Sequence, residues 1–168
     1  MNLLNTNTSA LLLGTSTTSF DTLLAGLGAG KMYRASGTQA PVAAQFGLLE
    51  LKNPISSGRT LFGFGGDETG ASGRGLSVVF DGTTISPVSV PSPMLVGGAA
   101  SVATFGLASQ AAPTGVSFLN VGAALAAVDY VFPGGFWFAL APNHNLQIQS
   151  NLVNVSITIN IGWLELTA

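Results

Sequence analysis

The sequence predicts an all-β protein, a jelly-roll or β-tulip-like sandwich of about ten short strands, and three observations carry that prediction. The first is the alternation near the end of the chain. Val155, Ile157, Ile159, Ile161 and Trp163 occupy every second position, with Asn154, Ser156, Thr158, Asn160 and Gly162 between them. Successive strand side chains point to opposite faces, so a period of two fits a half-buried strand and cannot build a helical stripe. The second observation is residue type. Val, Ile and Trp suit a pleated, half-buried surface, while Asn, Ser and Thr suit a face that meets solvent or a neighbouring subunit. The third is punctuation, with Asn53-Pro54, Ser57-Gly58, Pro133-Gly134-Gly135 and Pro142-Asn143-His144-Asn145 separating short β-like runs. These are turn-forming residues, and such spacing is that of a sandwich or small barrel.

Residues 1–30 read as an extended N-terminal arm or edge strand that docks on a neighbour, closing in the glycine turn Gly26, Gly28, Gly30. A single sandwich domain is expected over residues 31–168. Its first strands are predicted at 31–35, 41–52, 59–64 and 75–81, with Val42, Ala44, Phe46 and Leu48 sharing one face and Leu76, Val78 and Phe80 another. The glycine-rich stretch 63–75 reads as a long loop. Further runs are expected at 83–90, 99–107, 115–121, 125–132, 136–141 and 146–149, with a corner at Pro91-Ser92-Pro93 and helix limited to a short turn near 123–127.

A chain of 168 residues suits one domain. Charged residues make up only 7% of it, against about 25% in ordinary soluble domains. A chain so poor in charge is expected to hide surface against copies of itself or a partner. The five cations, Lys31, Arg34, Lys52, Arg59 and Arg74, fall in the first half, and Asp129 is the one formal charge between Gly82 and Leu164. The main subunit contacts are therefore expected in the second half. A net charge of −2 with no cation cluster argues against nucleic-acid binding. The absence of Cys excludes disulfides, zinc thiolates and redox motifs. No basic n-region with an apolar core opens the chain, so no Sec export is expected. Pro and Gly interrupt every apolar run before it reaches about 20 residues, and the aromatic girdles of a membrane barrel are missing, so no membrane partner is expected.

The motifs that invite chemistry fail on spacing. Gly26-Leu27-Gly28-Ala29-Gly30-Lys31 lacks the earlier glycine of a phosphate loop, where Ala25 stands, and has Met32 in place of the Ser or Thr that binds magnesium. Asp67 and Glu68 are neighbours without the ligand spacing of a calcium loop and read as a solvated tip. His144 is the only histidine, flanked by Asn143 and Asn145, and reads as a hydrogen-bonding turn residue. A triad of a Ser with His144 and Asp129 lacks a nucleophile elbow. No catalytic residue, cofactor or metal is expected, and the protein reads as non-enzymatic. Phe136, Trp137 and Phe138 are consecutive, so Trp137 points away from the other two. One side of that strand is expected in the core, the other at a subunit contact or as a stacking platform. The candidate interface is thus Trp137, Trp163, Phe136, Phe138, Asn154, Ser156, Thr158 and Asn160.

The arrangement of Leu51-Lys52-Asn53-Pro54, Ser57-Gly58-Arg59, the hairpin from Phe132-Pro133-Gly134-Gly135 to Leu146–Asn151, and the final strand ending at Trp163 and Glu165 resembles the small β-rich virion proteins of tailed bacteriophages. The resemblance spans roughly residues 30–166 and rests on pattern. It implies a capsid decoration (cement) protein on the virion surface, acting as a homotrimer on the major capsid protein or another virion protein. Head-fibre, neck and tail accessory roles belong to the same group. A carbohydrate-binding module or fibre head, using Trp137 or loop aromatics such as Tyr33 and Phe64, is the alternative.

Overall fold

A computed structural model describes residues 25–26, 28–70, 75–86, 91–121, 130–131 and 136–167. The final alternating run folds as anticipated, with Ile157, Ile159, Ile161 and Trp163 buried on one face and Thr158 and Asn160 half-exposed on the other. Burying side chains of that size stabilises by roughly 1.5–3 kcal/mol each, so one face of this strand anchors the core. The described residues form eleven strands: β1 (Met32–Gln39), β2 (Phe46–Lys52), β3 (Arg59–Gly70), β4 (Leu76–Phe80), β5 (Ser92–Pro93), β6 (Thr104–Gln110), β7 (Val116–Val121), β8 (Tyr130–Val131), β9 (Phe136–Leu140), β10 (Asn145–Val153) and β11 (Ile157–Thr167).

All pairings are antiparallel and make two sheets. One runs β5-β1-β11-β3-β8, with β9 also on β3, and the other runs β6-β2-β10-β4-β7. The expected all-β sandwich is therefore present. The chain changes sheet at each step from β1 to β4 and again from β7 to β8, β9 to β10 and β10 to β11, while β4 and β7 are neighbours in one sheet. Between those two an excursion adds β5 beside β1 and β6 beside β2, capping the same side of both sheets. The core lies between the sheets, where Leu49, Leu51, Val78, Phe105, Leu146 and Ile148 meet the inward face of β11. Tyr33 stacks on its cross-strand partner Trp163 at 6.1 Å between centroids.

Both legs of the excursion lie against the outer face of the second sheet, held by amides at every second position of β10. Asn145 donates to the Gly82 carbonyl at 2.8 Å, Gln147 to that of Thr83 at 2.8 Å, and Gln149 to that of Thr114 at 2.9 Å. Three regularly spaced carboxamides thus tie loop carbonyls to the sheet, among them that of the buried Gly82.

Several expectations need correcting. The stretch from Gly63 to Gly70 is the second half of β3 rather than a loop, because it pairs with β11 on one side and with β8 and β9 on the other. Val42 and Ala44 do not share a face with Phe46, since Ala44 sits in a turn with φ of 58° and β2 starts at Phe46. Leu49 and Leu51 are the residues of β2 that enter the main core. Residues 83–86 form no strand, and the final strand begins at Ile157, two residues later than the alternation suggests. Residues 1–24, the turn expected near 123–127 and the Pro133 turn lie outside the described residues.

Candidate functional site

The outward face of the first sheet carries the site, and register assembles it. Arg34 of β1 pairs with Gly162 of β11, which pairs with Phe64 of β3, while Ser92 of β5 pairs with Arg34 on its other side. The next row of that face is Ser36, Asn160 and Asp67, and the one beyond is Thr38, Thr158 and Thr69. A β-bulge at Gly65 makes the rows line up. Ile161 pairs with Gly66 and Gly162 with Phe64, so Gly65 has no partner on β11 and adopts φ of 53°, a conformation L residues rarely hold. The extra residue shifts the alternation, and Phe64 and Asp67 share the outer face although they are three apart.

Gly162 lets the Phe64 ring lie close over the middle of the first row. A side chain there would meet the Phe64 ring, since a Cβ would lie 2.9 Å from Cε2. The groove here has a volume of about 330 Å³ and is bounded by Arg34, Phe64, Asp67, Met94, Asn160 and Gly162. A second hollow of about 470 Å³, which shares Arg34 and Met94 with it, lies beside Ser36 and the Pro91-Ser92-Pro93 corner. The tip of the excursion supplies the lip. Within the groove Asn160 Nδ2 donates to Asp67 Oδ1, and further along Thr38 and Thr158 share a hydrogen bond of 2.8 Å. The Arg34 side chain is exposed and takes part in no hydrogen bond or ion pair among the described residues.

A second group of polar side chains holds the scaffold. Glu50, Glu68 and Glu165 are 2%, 1% and 1% exposed. Oε2 of Glu50 accepts from Gln147 at 2.9 Å, Asn145 at 3.0 Å and the Ile85 amide at 3.4 Å, so this carboxylate ties the excursion to the sheet. Burial pushes its pKa up, opposed by the hydrogen bonds from Gln147 and the Ile85 amide and by the Lys52 charge. Glu165 accepts from the Ser101 hydroxyl, from the Val102 amide at 3.1 Å and from Trp163 Nε1 at 3.3 Å, with Arg59 Nε at 4.0 Å. It pins the segment before β6 over the end of the core. Tyr33 has its phenol pushed up by burial first and by the Glu165 charge second, so it stays a neutral donor toward the Ala100 carbonyl.

The candidate interface residues divide. Trp163 is 0% and Phe138 6% exposed, so both belong to the interior, because the inward faces of β11 and β9 are the ones they share. Trp137 is half-buried and donates Nε1 to the Gly65 carbonyl at 3.2 Å, which commits it to holding the bulge. Phe136 pairs with Phe64 along the backbone. Asn154 is exposed with φ of 61° and accepts from the Ala44 amide at 2.7 Å, a turn role rather than a strand face. Ser156 is half-buried ahead of the strand, and Thr158 and Asn160 lie on the open face. Asp67 and Glu68 are not a solvated tip: Asp67 lines the groove and Glu68 is buried opposite Ile159. His144 Nδ1 sits 2.9 Å from Asp81 Oδ1 and its backbone carbonyl accepts from Asn53, the turn role its neighbours suggested. Tyr33, buried in the core, is no stacking platform, whereas Phe64 faces the groove.

Sequence reasoning missed Arg34, Ser36 and Asp67. A signal for the first two existed, since Arg34, Ser36 and Thr38 alternate with Tyr33, Ala35 and Gly37; their meeting with Asn160 and Phe64 required the register. Among the described residues no group of three His, Cys, Asp or Glu could hold a metal ion, and no helix is long and apolar enough to cross a membrane. In comparison with known proteins, no family model, no curated protein and no solved structure matches the chain.

Proposed function

We propose that this is a non-enzymatic structural protein of a tailed-bacteriophage virion, a capsid decoration (cement) protein that binds the shell as a homotrimer and stabilises it. The observation that carries the reading is the exterior. Of seven acidic residues three, Glu50, Glu68 and Glu165, are buried, so the surface has less charge than a composition already poor in it suggests. On that surface stand Val96, Ile55 and Val116, 99%, 74% and 71% exposed. A neutral exterior with projecting apolar side chains is suited to being covered by other subunits. Strand order supports the reading too. With the excursion set aside, β1-β11-β3-β8 against β2-β10-β4-β7 follows the two interlocked Greek keys of a jelly roll, an architecture used by viral capsid and lectin domains. Fold alone does not carry function, which is why the exterior matters more.

The test is co-sedimentation with purified shells lacking the protein. Attachment by apolar contact and hydrogen bonds survives about 1 M salt, where the Debye length is only about 3 Å. Retention under those conditions is the expected result. Release by moderate salt would contradict apolar attachment, and failure to bind any shell would remove the decoration reading.

A further inference from the structure

We propose that the groove between Arg34 and Phe64 is a binding site for one pyranoside residue of a glycan. Three features select that class. Phe64 offers a half-exposed ring that lies over Gly162, a surface for the C–H face of a sugar ring. Around it stand planar polar groups. Asp67 Oδ1 is engaged by Asn160, and among the described residues Asp67 Oδ2 and Asn160 Oδ1 are left as acceptors and the Arg34 guanidinium is left to donate. The volume of about 330 Å³ lies at the small end of the roughly 300–1,000 Å³ of small-molecule sites.

Other ligand classes fit less well. A phosphate group needs converging cations, and the groove has one Arg facing one Asp. An apolar segment would strand Arg34, Asp67 and Asn160 without water, which costs more than the burial of Phe64 and Met94 returns. A pyranoside is apolar on its ring faces and hydroxyl-lined at its rim, which matches both halves of the groove. The site is independent of shell attachment, since it is complete within one chain.

Ligand-observed saturation-transfer NMR and calorimetric titration of the full chain test it, with methyl glucoside, methyl galactoside and methyl glucuronide as probes. At least one glycoside is expected to bind, with transfer strongest at its ring protons. Arg34→Ala is expected to lower the association constant by about tenfold or more, the loss of a charge-assisted donor. Its melting temperature should match the parent, because the Arg34 side chain has no hydrogen-bond or ion-pair partner among the described residues. Phe64→Leu, which keeps an apolar side chain over Gly162, is expected to abolish the transfer. Preference for the glucuronide would assign Arg34 to a carboxylate, and equal binding of all three would assign it to hydroxyls. The proposal is overturned if no glycoside binds at tens of millimolar, or if both variants bind as the parent does. Groove resonances that respond to protein concentration and not to glycosides would give the groove to a second copy, and would also overturn it.

Discussion

Glu50 has Oε2 committed to three donors, from β10 and from the excursion, yet burial raises its pKa above the ordinary glutamate value near 4.5. The sign of the consequence follows from linkage. The folded state holds the proton more tightly than the unfolded chain, so the stability this group contributes is present at and below the ordinary value and is lost as pH rises through the raised one. Unfolding by urea at a series of pH values should therefore show Glu50 lowering stability from about pH 4.5 upward. Glu50→Gln keeps an oxygen acceptor and removes the ionisation. Its stability is expected to be flatter over that window and higher than the parent's at neutral pH. An unchanged slope in Glu50→Gln would mean that another group sets the dependence.

On β11 neighbouring positions have opposite fates. Ile159 is buried between the sheets, while Thr158 looks outward and bonds across to Thr38. Truncating a buried Ile to Ala costs about 2–5 kcal/mol, and an unpaired carboxylate there adds its desolvation. Ile159→Asp is expected to abolish the cooperative thermal transition. Thr158→Asp removes one exposed hydrogen bond, worth about 0.5–1.5 kcal/mol, and should melt within several degrees of the parent while altering assembly. Calorimetry of the two variants side by side checks this, and equal melting would mean the faces are misassigned. The same strand's register with β3 depends on the Gly65 bulge, which also aims Phe64 and Asp67 into one groove.

Among the described residues, three glutamates are buried and the exterior is poor in charge. That inversion predicts self-association. A stable interface removes about 800 Å² from each partner, and one that covered Val96 and Val116, 99% and 71% exposed, would bury apolar side chains that now meet water. Multi-angle light scattering at micromolar concentration is expected to give a trimer mass. A clean monomer would remove the oligomeric reading and weaken multivalent attachment to a shell, because effective concentration is gained only when several subunits engage together.

The inward face of β11, the turn role of His144 and the neutrality of the surface were readable from residue order, because each follows from local geometry or from composition. Strand side chains alternate whatever they pack against. The strand character of Gly63–Gly70 was not readable, since a glycine-rich run has little intrinsic preference for strand and takes this conformation from pairing on both sides. Alternation placed Trp163 on the buried face of β11, so its place among the interface candidates was at odds with the strand's own pattern; at Phe138 it defined two faces without saying which meets the second sheet, and both residues are core. The groove lay further out of reach, because Arg34, Phe64 and Gly162 meet only through two strand registers and one bulge. Local sterics determine the period of a strand, whereas its partners and its buried side are decided by long-range packing that residue order encodes only collectively.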